Sequence, residues 1–361
     1  MKTGISLYPG LDNSLEENLE LLEKAVALGI DQVFTSLHIP ETDTVSLQRD
    51  VSALFHRARK LGCNIISDVS PETCELLQID ELTPSALKEL GISTVRFDFG
   101  CPPARIAHFS KEMDVQLNAS TLTPELAADL VQAGADFTHI ESLHNFYPRP
   151  HTGLAEDYFT KQTRWQQRAG IRVGAFIPSQ AGRRSPLREG LPTLEDHRSM
   201  PVDLSGRHLA SLGVDAVFIG DSRPSANELQ SLSHLAQNTV TIQARQLNPD
   251  SIASFLLSHT LTARPDPARD AIRAQESRSL LKNYFISPDY TASMDKVPGD
   301  VTLDNETYGR YMGELQIVTT AITADGRTNT IARILPEERF LLKYIQPGRK
   351  FKIELLEQKS D

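Results

Sequence analysis

Four carboxylates stand where short strand-like runs end: Asp68, Asp98, Glu141 and Asp221. Asp98 and Glu141 form the strongest pair. Asp98 lies two residues after Arg96, so in a strand both point to one face. A neighbouring cation stabilises a carboxylate's charged form. Glu141 stands two residues after His139, in the same phase. One carboxylate kept ionised and one able to hold a proton are what glycoside hydrolysis uses. The spacing therefore predicts Glu141 as the acid and Asp98 as nucleophile or base, with Asp68 and Asp221 as further candidates. Each one alone also reads as the cap of a following helix or the partner of a nearby arginine.

After Glu141 the chain enters a polar segment with His144, Asn145, Tyr147, Arg149 and His151, stiffened by Pro148 and Pro150. Asn118, His144 and Asn145 could hydrogen-bond hydroxyl or acetamido groups. Tyr8 and Tyr147 could offer faces to a sugar ring. Arg183, Arg184 and Arg188 crowd a long loop after the seventh strand-like run. Clustered arginines suit phosphate, which they can hold in a bidentate manner, although a solvated basic loop reads equally well. Arg149, Arg273 and Arg278 are rival anion ligands. His38, Asp68, Asp98, His139, Glu141 and His144 are metal-capable types. The chain nevertheless has no HxH or HExxH pattern, so a metal-free site is the preferred expectation. A metal-dependent barrel isomerase or lyase acting on a sugar phosphate is the alternative. No lysine stands in the polar strand phase, which disfavours Schiff-base chemistry.

The elements that must position these residues repeat. Strand-like runs at 3–8, 32–39, 64–69, 94–99, 115–120, 137–143, 172–177 and 216–221 alternate with helical patterns. Gly29, Gly62, Gly91, Gly134, Gly170 and Gly213 each come just before a strand, as glycines that close helices do. Eight such units match a (β/α)8 TIM barrel of about 250 residues. In that fold the functional mouth lies at the C-terminal strand ends, where Ser36, His38, Asp68, Asp98, Asn118 and Glu141 form a polar phase. Beyond residue 239 the pattern changes to short β runs at 314–321, 330–334 and 350–355, separated by turn signals such as Asp325-Gly326. The expected organisation is a barrel over 1–239 and a small mostly-β domain over 240–361.

The 361 residues carry 37 Lys+Arg and 47 Asp+Glu, a net charge of −10. An acidic surface repels phosphate backbones, so nucleic acid is a poor partner. Three cysteines without a CxxC fit a reducing compartment. The N-terminus has no apolar signal core, and no run is long enough to span a bilayer, so a cytoplasmic protein without membrane contact is expected.

The runs GISLYP (4–9), SDVSP (67–71), RFDFG (96–100), NAST (118–121), HNFYPRPHTGL (144–154), EGLPTLEDHR (189–198), FIGD (218–221) and DNETYGRYMGELQ (304–316) occur in this order. Together they resemble the bacterial 6-phospho-N-acetylmuramidase family over essentially the whole chain. The resemblance implies a TIM barrel followed by a cyclophilin-like β domain. It implies hydrolysis of the β-1,4 bond between 6-phospho-N-acetylmuramic acid and N-acetylglucosamine, during recycling of cell-wall peptidoglycan sugars in the cytoplasm. It implies no cofactor and a small phosphorylated disaccharide as partner. Homo-oligomerisation stays open. Because this substrate is an anion, the arginines above are its expected ligands, joined by Asp304 and Arg310 of the second domain.

Overall fold

The computed structural model describes residues 1–37, 39, 42–69, 73, 74, 79, 81–98, 100–247 and 251–356. His38, Phe99 and positions 70–71 of the SDVSP run lie outside the described residues. Apolar, β-branched and aromatic runs form eight strands: β1 (Lys2–Ser6), β2 (Gln32–Ser36), β3 (Asn64–Asp68), β4 (Thr94–Phe97), β5 (Asp114–Asn118), β6 (Ile140–Leu143), β7 (Arg172–Ile177) and β8 (Ala216–Ile219). All pair in parallel, and β8 closes on β1, so the sheet is a closed barrel. The predicted TIM barrel is therefore observed. Most strands end one to three residues sooner than predicted, because polar residues such as Asp98, Ser120 and Asp221 leave the ladder for the loops.

The helices between the strands are set by local signals. The helix Leu15–Ala27 begins with a capping box, Ser14 accepting from the Glu17 amide while Glu17 accepts from that of Ser14. The helix Pro84–Leu90 ends at Gly91, whose φ of 98° is left-handed and suits glycine. Inside the barrel Tyr8, Phe34, Ile66, Leu143, Phe176, Leu191 and Phe218 form one buried cluster. Each such side chain contributes about 1.5–3 kcal/mol when removed from water. Gly4 makes room for this packing, since a Cβ there would come within 2.3 Å of the Phe218 ring.

The chain divides into two compact units. The first holds Met1–Leu209 and Val214–Leu235, and the second holds Ala210–Gly213 and the chain from Ala236 onward. The second unit is mostly strand, as expected. Among the described residues its seven strands are β9 (Thr239–Gln246), β10 (Leu261–Thr262), β11 (Ala271–Arg273), β12 (Asp300–Asp304), β13 (Leu315–Val318), β14 (Thr328–Ile334) and β15 (Lys350–Leu355), ordered β10-β15-β9-β14-β12-β13-β11. All pairs are antiparallel except β15 with β9. Among the described residues no helix is long and apolar enough to cross a membrane.

Candidate active site

One row of residues explains where the polar strand phase goes. Ser36, Asp68, Arg96, Gln116, Glu141 and Arg172 are Cα partners on successive strands from β2 to β7. Ser36 and Asp68 are the last residues of their strands, whereas Arg172 is the first of its own. A closed barrel has shear, so a row followed around it changes height. This row descends from the C-terminal mouth to the N-terminal end. Its side chains remain linked on the way: Arg96 Nη1 donates to Gln116 Oε1 at 3.3 Å, and Gln116 Nε2 donates to Glu141 Oε1 at 3.0 Å.

Glu141 consequently sits away from the mouth. Its Oε2 lies 3.6 Å from both Lys2 Nζ and Arg172 Nη2, and these cations belong to the first residues of β1 and β7. The expected mouth position of Glu141 is corrected by this placement. His139 is also outside a strand, in the short 3-10 turn Phe137–His139, with its Nδ1 2.7 Å from Asp114 Oδ1.

The mouth gathers around Asp98, just past β4. Its side chain is 43% exposed, and its Oδ1 accepts from Asn118 Nδ2 at 2.7 Å and from Asn145 Nδ2 at 3.4 Å. Arg96 Nη2 is 3.8 Å away. The Arg96 guanidinium is buried, donating to the Leu143 carbonyl at 2.9 Å and to Asn145 Oδ1. Burial pushes its pKa down while the charges of Asp68 and Asp98 push it back up. Asp68, buried at the end of β3, thus joins the same electrostatic group. Burial raises the pKa of the half-buried Tyr147 phenol, whose hydroxyl is near Ser120 and which feels both Asp98 and Arg96. A cleft of about 360 Å³ adjoins Asp98 and Asn118, walled by Pro102, Ile106 and Leu122.

His144 does not join this group. It is buried on the outer side, 3.1 Å from both Ser120 Oγ and Thr163 Oγ1 and packed against Phe159. Burial, with the Arg96 charge, pulls its pKa down to about 3, so it stays neutral.

The loop after β7 brings a cation instead. Arg184 is buried, with its guanidinium carbon 5.0 Å from the Tyr8 ring centre and 5.1 Å from that of Phe146. Its Nε is buried and, among the described residues, has no hydrogen-bond partner. Asp221 fixes the loop by accepting from the amides of Ser179 at 2.8 Å, Arg184 at 2.9 Å and Leu191 at 3.2 Å. Asp221 is therefore a buried bracket, its pKa raised by burial, and its expected place as an open mouth carboxylate is corrected. Tyr8 is similarly withdrawn. Its hydroxyl donates to the Gly220 carbonyl at 2.7 Å, and one ring face is covered by Arg184. Arg183 is held by Gln180 and the Arg198 carbonyl. Among the described residues no group of three or more His, Cys, Asp or Glu is placed to hold a metal ion.

Residues 3–234 match the family model for the N-terminal part of 6-phospho-N-acetylmuramidase, and residues 239–354 match the model for its C-terminal part. The chain belongs to the 6-phospho-N-acetylmuramidase family. It is a glycosidase. A crystal structure of an uncharacterized B. cereus protein is 27% identical, with a TM-score of 0.85 over 98% of this chain and 99% of that one. A crystal structure of a conserved Enterococcus faecalis protein of unknown function is 34% identical, with a TM-score of 0.71 over 98% and 96%. No curated protein matches the chain.

A clamp that was not anticipated shapes the loop over 144–154. Arg198 donates to the carbonyls of Tyr147 and Arg149 at 3.0 and 3.2 Å and pairs with Glu195 at 2.7 Å. Glu195 in turn accepts from the amides of His151 and Gly153. Hydrogen bonds from Arg198 hold the Glu195 pKa down at about 2, against the opposing effect of burial. The three-residue spacing of Glu195 and Arg198 was the available signal. Arg149 itself is exposed.

The second-unit candidates separate. Arg273 is neutralised by Glu314 at 2.9 Å and Asp266 at 3.3 Å, which corrects its expected role as an open anion ligand. Asp304 is buried; burial, aided by the Glu314 charge, pushes its pKa up to about 7. Arg278 and Arg310 are exposed and both flank the Tyr311 ring, at 5.6 and 4.9 Å.

Proposed function

We propose that the protein hydrolyses the β-1,4 bond of 6-phospho-N-acetylmuramyl-N-acetylglucosamine at the C-terminal end of its barrel, in cytoplasmic recycling of cell-wall sugars. The observation that carries the substrate is Arg184. A buried guanidinium nitrogen without an acceptor costs free energy unless a ligand supplies one. In a chain of net charge −10, a cation so held selects for an anionic substrate. Arg149 adds positive charge at the exposed rim.

Asp98 is the reacting carboxylate. Two amide donors and a nearby guanidinium surround it, and a carboxylate there stabilises the positive charge that develops at the anomeric carbon. In the reaction a water oxygen ends bonded to that carbon, the glycosidic C–O bond breaks, and the departing oxygen gains a proton. Asp68, at the end of the adjacent strand, is the second carboxylate of the mouth. The pair Asp68–Asp98 thus replaces Asp98–Glu141. Asn118, Asn145 and Tyr147 line the same opening and supply hydrogen bonds to hydroxyl or acetamido groups.

The test is release of N-acetylglucosamine from the disaccharide with and without its 6-phosphate. The phosphorylated substrate should be favoured by roughly 10²-fold or more in kcat/KM, because without the phosphate the buried Arg184 Nε gains no acceptor. Equal rates for the two would remove the phosphate from the reading.

A further inference from the structure

The second unit holds a cavity of about 440 Å³ between the edge strand β11 and the 3-10 helix Pro336–Tyr344. Its wall is rich in arginine, and most of that charge is spent internally. Arg264 pairs with Asp266 at 2.9 Å, Arg269 with Asp270 at 2.9 Å, and Arg273 with Asp266 and Glu314. Arg339 is the exception. Among the described residues it has no ion-pair or hydrogen-bond partner, and its Nε is buried. The backbone makes room for it: a Cβ at Gly299 would stand 2.9 Å from that Nε. The rest of the wall is largely apolar, with Ile272, Leu342, Ile345 and Pro347.

We propose that this cavity binds a small organic carboxylate, the Arg339 guanidinium taking the carboxylate and the aliphatic wall taking an apolar body. A planar guanidinium matches the two oxygens of a carboxylate with two parallel hydrogen bonds. A phosphate's third oxygen and second charge ask for more donors than one unpaired guanidinium offers. A sugar ring is poorly served, since none of the described residues lining the wall is aromatic. The exposed Lys343 at the rim adds positive potential that attracts an anion. The site belongs to the second unit alone and is independent of the glycosidase assignment.

The experiment uses the full chain labelled with ¹⁵N and follows the arginine Nε–H resonances during titration with hexanoate, hexan-1-ol and inorganic phosphate. The Arg339 signal is the one lost in Arg339→Met. Hexanoate should shift it saturably, at least tenfold more tightly than the alcohol or phosphate. Arg339→Met should abolish hexanoate binding while leaving disaccharide hydrolysis and thermal stability undiminished, because the variant removes an unpartnered group. Leu342→Asn, which retains Arg339, should weaken hexanoate tenfold and serves if Arg339→Met does not fold. Absence of a saturable shift overturns the proposal. So does phosphate binding as tight as hexanoate, or a lowered melting temperature in a folded Arg339→Met, which marks a structural arginine.

Discussion

The Asn118 amide donates to the Asp98 carboxylate at 2.7 Å, from the last residue of β5 to the residue just past β4. Asn118 is itself fixed, since its Oδ1 accepts from the Ser120 amide at 2.9 Å. The carboxylate is therefore oriented before any substrate arrives, and only its outward side is open. Asn118→Ala should lower kcat about 10-fold to 10²-fold, the worth of one hydrogen bond to a charged group. Steady-state kinetics on the phosphorylated disaccharide checks this; an unchanged kcat would mean that Asp98 needs no such support.

Glu141→Gln should leave kcat within a few-fold of the parent. The glutamine keeps the shape that Gln116 binds, and the side chain lies at the barrel's N-terminal end beside Lys2 and Arg172. Its cost should appear as stability, about 1 kcal/mol, because both cations are half-exposed and their pairs are long. Urea unfolding beside the kinetics separates the two effects.

Arg184→Met tests the anion ligand. The thioether chain can still pack between Tyr8 and Phe146. For the phosphorylated substrate kcat/KM should fall about 10-fold to 10²-fold, while the unphosphorylated disaccharide is nearly unaffected. The melting temperature should fall only slightly, because among the described residues Nε has no hydrogen bond to lose and only the two ring contacts go.

Acid should destabilise the fold in a defined window. His144 has a folded pKa near 3 against 6.5 for the free side chain. The unfolded chain therefore binds a proton that the folded chain refuses. Stability is full above about pH 6.5 and falls toward pH 3 by up to roughly 1.4 kcal/mol per pH unit for such a group. His197, also held low by burial, acts in the same direction. The Glu195 contribution is present above pH 4.5 and fades as pH falls toward 2. Denaturant unfolding at pH 7 and pH 5 should show the loss, and His144→Gln should flatten it.

The barrel was legible because its signals are local. Strand runs, helix periodicity and closing glycines each lie within a few residues of sequence. Asp98 and Asn118 could be picked out by strand phase and Asn145 by its polar segment, and they do meet. Phase tells which side chains face inward but not how high they sit, because shear enters only when the sheet closes. Glu141 shares a row with Arg96 and Asp68 and still lies at the other end of the barrel. His144 misled for a related reason. The chain position beside Asn145 is polar in both, yet alternation turns one ring into the layer against Phe159 and the other amide into the mouth. Asp221 carried a carboxylate's signature, and only the folded loop shows its oxygens occupied by three amides. Arg184 was visible as one of several arginines, but its burial between two rings required the tertiary structure.

The most direct test of the account is Asp98→Asn. The side chain is isosteric and 43% exposed, so the variant should fold with a melting temperature close to the parent's. Turnover of 6-phospho-N-acetylmuramyl-N-acetylglucosamine should fall by roughly 10²-fold to 10⁴-fold, as loss of a reacting carboxylate does, with KM little changed. A folded Asp98→Asn that turns over the phosphorylated disaccharide at the parent's rate would contradict the assignment of this mouth as the catalytic centre.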